Sequence, residues 1–244
     1  MKQVTLTVID NKPLTSNVCR MRLSGDVSAF TAPGQFANFR ITGLYLRRPI
    51  SVCDLGENML TVIYKVVGEG TARMRDLRPG ETLDTLTGLG NGYDIACAGK
   101  YPLLVGGGVG VPPMYCLAKK LLALGASPRV ILGFNTKDEV FYEEEFRDLG
   151  CGVTVTTVDG SYGIKGFVTA ALPENATYLY ACGPEPMLKA LYKASDLPAQ
   201  FSFEERMGCG FGACMGCTCK TVTGYKRICK DGPVLRREEI LWEK

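Results

Sequence analysis

Five cysteines fall close together near the end of the chain, at positions 209, 214, 217, 219 and 229. Four of them, Cys209, Cys214, Cys217 and Cys229, follow the spacing Cys-x4-Cys-x2-Cys, with the fourth after eleven intervening residues. This is the ligand pattern of a plant-type [2Fe–2S] cluster, in which each of two irons takes two thiolates. A loop that wraps such a cluster brings backbone N–H groups to its sulfurs, and Gly208, Gly210, Gly212 and Gly216 leave room for that approach. Zinc is the competing reading, but a zinc site presents two short Cys-x2-Cys pairs and only one is present. Cys219 stands two residues past Cys217 on an expected strand and is read as a non-ligand. Cysteines 19, 53, 97, 116 and 151 are scattered and read as small buried hydrophobes. The chemistry this implies is electron transfer.

A cluster needs a source and a sink of electrons, and other motifs offer candidates. Gly106-Gly107-Gly108-Val109-Gly110-Val111-Pro112-Pro113 follows an apolar run and opens a helix. Amide groups at a helix start favour a pyrophosphate, while a plain tight turn is the competing reading. The motif departs from G-x-G-x-x-G, and Asn135, not an acid, stands at the end of the next strand. Cys182-Gly183-Pro184-Glu185-Pro186-Met187 closes a later strand, at the end where α/β sheets bind ligands, and Gly183 would admit a flat ring. Arg48-Pro49-Ile50-Ser51 offers a cation for a diphosphate and a hydroxyl for a ring nitrogen. Gly68-Glu69-Gly70-Thr71 begins a short helix, a second phosphate-binding end. Each motif is weak alone; their order along the chain is specific.

These residues need elements to hold them. Short β-rich runs at 4–9, 18–24, 35–41 and 60–67 are separated by Asp10-Asn11-Lys12-Pro13, Ala32-Pro33-Gly34 and Gly56-Glu57-Asn58. They predict a small antiparallel barrel. A short helix is expected over 71–77 with Thr71 as its N-cap. Past Lys100, strands at 101–105, 129–134, 153–158 and 178–182 alternate with helices at 113–124, 143–149 and 186–193, which predicts a parallel sheet with helices on both faces. Beyond Ala199 neither period persists. The expected architecture is therefore multidomain, α+β and α/β: a flavin-binding β-barrel over 1–98, a nucleotide-binding α/β domain over 99–200 and a cluster domain over 201–244.

Composition narrows the chemistry further. Hydrophobic residues at 46% and charged residues at 22% suit a soluble globular chain with its own core. The net charge of +3 is too small to imply nucleic acid or an anionic membrane as partner. Histidine is absent, which removes Ser-His-Asp catalysis, His-ligated zinc or haem, and Rieske centres. No export signal or membrane span is legible, so a cytoplasmic location is expected, and eleven cysteines without an export signal argue for metal or redox use rather than a disulfide framework.

Together the motifs make the chain resemble the ferredoxin–NADP reductase superfamily. The R-x-x-S at 48–51, G-x-G-T at 68–71, GGGxGxxP at 106–113 and CGPxPM at 182–187 carry that likeness. With LRRPISV, YKVVGEGT, LGNGY, GSYGIKGFV and a terminal four-cysteine segment, the chain is similar to the electron transfer subunits of type B dihydroorotate dehydrogenases. One departure is Thr87-Gly88, where Gly-Pro is expected in many relatives. The resemblance implies that FAD is held by Arg48, Pro49, Ile50 and Ser51, by Ile63, Tyr64 and Lys65, and by Gly70 and Thr71. It implies NAD at Gly106, Gly107, Gly108, Gly110, Cys182, Gly183 and Pro184, and a cluster on the four cysteines. Ser51 near the flavin and Cys182 near the nicotinamide are the expected catalytic residues. The implied partner is an FMN-containing dihydroorotate dehydrogenase catalytic subunit, in a heterotetramer with two of each, acting in pyrimidine (UMP) biosynthesis. NAD is favoured over NADP because Asp138 and Glu139 oppose the attraction of Lys137 for a 2′-phosphate. Alternatives are a subunit of an NAD(P)H:ferredoxin or sulfide-type reductase, in some of which an acid replaces a cluster cysteine, a self-contained reductase, and a zinc-binding interaction module.

Overall fold

The computed structural model describes residues 1–243. Six antiparallel strands form the N-terminal barrel: β1 (Lys2–Pro13), β2 (Val18–Ser24), β3 (Phe36–Phe39), β4 (Arg48–Leu55), β5 (Met59–Lys65) and β6 (Thr82–Leu89). They close in the order β1-β2-β5-β4-β3-β6. Alternation sends Leu6, Val8, Met21, Leu23, Phe39, Val62 and Tyr64 into the barrel interior, all essentially buried. The next element, α1 (Glu69–Arg75), starts two residues earlier than expected. Gly68 is its N-cap. Thr71 sits in the first turn, where its hydroxyl accepts from the amides of Val67 at 2.9 Å and Gly68 at 3.2 Å. Thr71 thus reaches back to cap the turn rather than opening it.

The second unit contains β7 (Pro102–Gly107), α2 (Val111–Ala123), β8 (Arg129–Phe134), α3 (Glu143–Asp148), β9 (Gly152–Thr157), β10 (Ile164–Lys165), β11 (Tyr178–Cys182), α4 (Glu185–Ala194) and β12 (Ala199–Ser202). A small hairpin follows, β13 (Thr218–Thr221) and β14 (Gly224–Arg227), and then β15 (Val234–Arg236). The large sheet runs β10-β9-β8-β7-β11-β12-β15, parallel except for the last pair. The expected boundary near 200 falls inside β12. The chain leaves the sheet after Ser202, builds the cysteine segment and returns as β15, which covers the edge that β12 would otherwise expose.

Helices cover both faces of this sheet. Met114, Leu117 and Leu121 of α2 and Phe146 of α3 fill one face, while Leu188 and Leu191 of α4 fill the other. The first face also receives Cys53 and Ile63 from the outside of the barrel, so barrel and sheet share one apolar core. An ion pair between Lys119 of α2 and Asp54 of β4, at 2.6 Å, crosses the same junction. Among the described residues no helix is long and apolar enough to cross a membrane.

Candidate functional site

The barrel is closed, yet one seam opens. The β4–β5 ladder runs from Leu55–Leu60 only to Val52–Val62. Beyond that point the strands part. Arg48–Ser51 pair with Phe36–Phe39 on one side, and Lys65, Tyr64 and Ile63 pair with Val18–Arg20 on the other. The two arms therefore carry backbone groups with no ladder partner between them, and these are the two expected flavin segments. Ser51 and Ile63 stand at the apex. The side chain of Tyr64 does not face this opening: it lies in the barrel core and donates to Asn11 Oδ1 at 3.0 Å. Only its main chain is available there.

At the other end of the β4 arm, Arg48 lies flat against Gly70 of α1. A Cβ at Gly70 would come within 2.0 Å of Arg48 Nε. Glycine at this position is what lets the guanidinium sit over the start of α1, beside Thr71. That pairing of a fixed cation with a glycine-lined turn fits a diphosphate.

The nucleotide motifs converge at the C-terminal ends of β7 and β11, which are adjacent in register: Cys182 opposes Gly106. Strand order reverses between these two, with β8 and β9 to one side and β12 to the other, so this is the switch point where such sheets bind ligands. Most of the glycines serve packing between the two turns rather than open approach. A Cβ at Gly110 would lie 2.1 Å from the Cys182 carbonyl oxygen, one at Gly107 2.5 Å from Met187 Sδ, and one at Gly183 2.5 Å from Met187 Cε. At Gly107 and Gly183 the space without a Cβ is taken by the end of the Met187 side chain, which packs between the two turns. Gly108, in the left-handed region, faces open space. The helix start itself offers few donors, because Pro112 and Pro113 in its first turn have no N–H. Pro184 caps α4, accepting from Leu188.

Cys182 lies on the barrel-facing side of β11, in the same apolar cluster as Ile63. Burial pushes its thiol up to about 12, partly offset by Ser202. The thiol is therefore neutral at ordinary pH. Asn135 at the end of β8 is met by an acid from four residues on. The Glu139 carboxylate accepts from the Asn135 amide at 3.1 Å and from Asn135 Nδ2 at 2.8 Å. A short 3-10 turn over Lys137–Glu139 folds it back, a placement that strand-end reasoning on the sequence missed.

The cluster cysteines gather as two pairs. Cys209 Sγ accepts from the amides of Ala213 at 3.2 Å and Cys214 at 3.4 Å, and Cys214 Sγ from the Cys209 amide at 3.4 Å. Cys217 Sγ accepts from the Cys229 amide at 3.4 Å. Among the described residues no three acidic, histidine or cysteine side chains surround a single point as a one-ion site requires. Two thiols at each of two points is the donor set of two irons. Burial works to raise the Cys209 thiol, but the loop amides outweigh it and hold it at about 6. Burial, and then the neighbouring Cys217, push Cys229 up to about 12. Cys219 belongs elsewhere: it lines a cavity with Gly183, Leu188, Phe203 and Trp242 that none of the other four cysteines enters.

Residues 204–241 match the iron–sulfur cluster binding domain of dihydroorotate dehydrogenase B, and residues 104–193 match an oxidoreductase NAD-binding domain. The dihydroorotate dehydrogenase B (NAD(+)) electron transfer subunit of Geobacillus sp. (strain WCH70) is 47% identical over 99% of both chains. That of Bacillus pumilus (strain SAFR-032) is 44% identical over 98% of both. Among solved structures, an NADH-dependent reduced ferredoxin-NADP oxidoreductase, studied for flavin-based electron bifurcation, superposes with a TM-score of 0.89 at 31% identity. It covers 99% of this chain and 91% of that one. The chain carries an iron–sulfur domain and an NAD-binding oxidoreductase domain on the reductase fold anticipated from its motifs, and it belongs to the family of dihydroorotate dehydrogenase B (NAD(+)) electron transfer subunits.

Proposed function

We propose that this chain carries electrons between an FMN-containing dihydroorotate dehydrogenase catalytic subunit and NAD⁺, using one FAD and one [2Fe–2S] cluster. When bound, FAD exchanges a hydride with nicotinamide and single electrons with the cluster, which bridges a two-electron and a one-electron carrier. Arg48 and the Gly70 turn hold the FAD diphosphate. The free main-chain groups of Pro49–Ser51 and Ile63–Lys65 would hold the rest, with Ser51 the hydroxyl available to the flavin ring. Gly106, Gly107, Gly108, Gly110, Cys182, Gly183 and Pro184 would shape the nicotinamide wall, and Glu139 would be the acid available to the ribose. Cys209 and Cys214 would ligate one iron, and Cys217 and Cys229 the other.

The observation that carries this reading is the two-by-two pairing of thiols inside a loop whose amides point at sulfur. The complete assembly is a heterotetramer of two subunits of each kind, working in the cytoplasm on the dihydroorotate step of pyrimidine biosynthesis. Eleven unpaired thiols fit a reducing compartment. The purified chain is expected to be yellow-brown and to reduce dyes with NADH, while oxidising dihydroorotate only when the FMN subunit is added. Colourless protein carrying zinc would sink the proposal. Cys217→Ser is expected to lose the visible absorption of the cluster and Cys219→Ser to keep it. The likeness to a ferredoxin-NADP oxidoreductase supports a second reading as a ferredoxin-linked reductase subunit. Electron delivery to ferredoxin, with no coupling to the FMN subunit, would favour it.

A further inference from the structure

Asn38 sits where the flavin strand meets the cluster loop. It lies on β3, in register with Pro49 of the β4 arm, and is 1% exposed. Its Nδ2 donates to the carbonyl oxygen of Cys209 at 3.3 Å, a bond spanning 171 positions of sequence. Gly210, next along, is in the left-handed region at φ +81°, and a Cβ there would approach Asn38 Nδ2 to 2.3 Å. The loop is therefore shaped to receive this side chain. The second observation is independent of the first: Asn38 Oδ1 is buried and has no hydrogen-bond partner within the chain. A buried amide oxygen left without a donor is destabilising, and such an atom in a built site points to a group supplied from outside the chain.

The rest of β3 is fixed around it. The outward turn of Asn38 follows from alternation, since Ala37 and Phe39 enter the barrel core. Arg47 donates to the Asn38 carbonyl at 3.3 Å and is itself held by Asp84 at 2.9 Å. The strand that presents Asn38 is thus tied to β6.

We propose that Asn38 is the positioning residue that fixes the Cys209 end of the cluster loop against the flavin-binding strand, and so controls electron passage between FAD and cluster. This rests on the placement of FAD and cluster given above. Its two amide ends have separate tasks: Nδ2 holds the loop, and Oδ1 is the acceptor offered to the cofactor side of β4.

The test uses the full chain with both cofactors, in Asn38→Leu and Asn38→His. Leucine keeps the volume and removes both polar ends. The histidine Nδ1 has similar reach and can donate. FAD and iron contents are measured first; a wild-type chain lacking either would count against the functional reading, not against the role of Asn38. In Asn38→Leu, the rate of FAD reduction by NADH serves as the reference against which the next step is read, since loss of the Oδ1 acceptor bears on FAD itself. Reduction of the cluster afterwards, followed by stopped flow, is expected to slow about tenfold or more, on the scale that small misplacements produce. The electron paramagnetic resonance signal of the reduced cluster is expected to shift, and Asn38→His is expected to restore both. A wild-type spectrum together with a wild-type transfer rate in Asn38→Leu would overturn the proposal. If Asn38→Leu loses its iron, Asn38→His decides: recovery of cluster and rate supports the role, and failure to recover refutes it.

Discussion

At the scale of single residues, the chain's chemistry depends on a few polar groups held where no substitute fits. Arg48 is the clearest. Its guanidinium occupies the space a Cβ would take at Gly70, so cation and turn are one unit. A charge-assisted contact of this kind contributes about 1.5–3 kcal/mol, so Arg48→Ala is expected to weaken FAD binding roughly 10- to 100-fold in a fluorescence titration of the apoprotein. Unchanged affinity would place the diphosphate elsewhere. Cys182 makes the opposite case. Burial holds its thiol protonated up to about 12, so dye reduction by NADH between pH 7 and 10 is expected to show no inflection from it. Cys182→Ser is expected to change the rate and leave the shape of that profile alone. A lost inflection would instead make the thiol an acid or base in the reaction.

At the scale of elements, the cysteine segment has little regular structure of its own and is held by its neighbours. Asn91, in the turn after β6, grips its exit: Nδ2 donates to the carbonyls of Val234 at 2.8 Å and Asp231 at 3.3 Å, and Oδ1 accepts from the Val234 amide at 3.1 Å. Asn91→Ala removes three bonds of about 1 kcal/mol each. The expected outcome is faster bleaching of the cluster's visible absorption on warming, with the barrel transition in place. The barrel has its own acid sensitivity. Burial opposes ionisation of Asp84, but Arg47 and Gln3 outweigh it and hold the carboxyl below its ordinary range. The folded state therefore gains stability from Asp84 above about pH 4, and that gain is lost as the pH falls through the lowered folded value. Urea unfolding of Asp84→Asn is expected to depend less on pH between 5 and 3 than that of the parent chain. The strands and helices of the second unit were legible because apolar runs change period there. β4 was not among the β-rich runs read from the sequence, because Arg48 and Pro49 interrupt the apolar alternation and its outer residues are only half-buried. The parting of β4 from β5, the fold-back of Glu139 and the reach of Asn38 to Cys209 are long-range or turn-dependent pairings. Local periodicity carries no trace of them.

At the scale of the whole molecule, three units share cores instead of being strung on linkers. Cys116 of α2 packs into the barrel cluster, and Cys217 and Cys229 pack with Leu188, Leu191 and Phe201 of the nucleotide sheet. Electron transfer benefits from such rigidity, since small displacements of the centres carry large rate penalties. A relay also needs one cofactor within reach of the partner proposed above, and the exposed residues beside the cluster cysteines are the place to test. Cys214 is exposed, and on either side of it Phe211 and Met215 stand 42% and 54% exposed. These two apolar side chains beside the cluster cysteines are the anchors to test for partner contact. Phe211→Ala combined with Met215→Lys is expected to leave dye reduction by NADH unchanged. The same pair is expected to cut dihydroorotate-driven NAD⁺ reduction at least about tenfold when the FMN subunit is limiting, as loss of interface anchors does. Parallel loss of both activities would mean that the substitutions damaged the relay itself. Loss of neither would move the docking face to another side of the molecule, such as the fully exposed Tyr45 and its neighbour Leu46 ahead of Arg48.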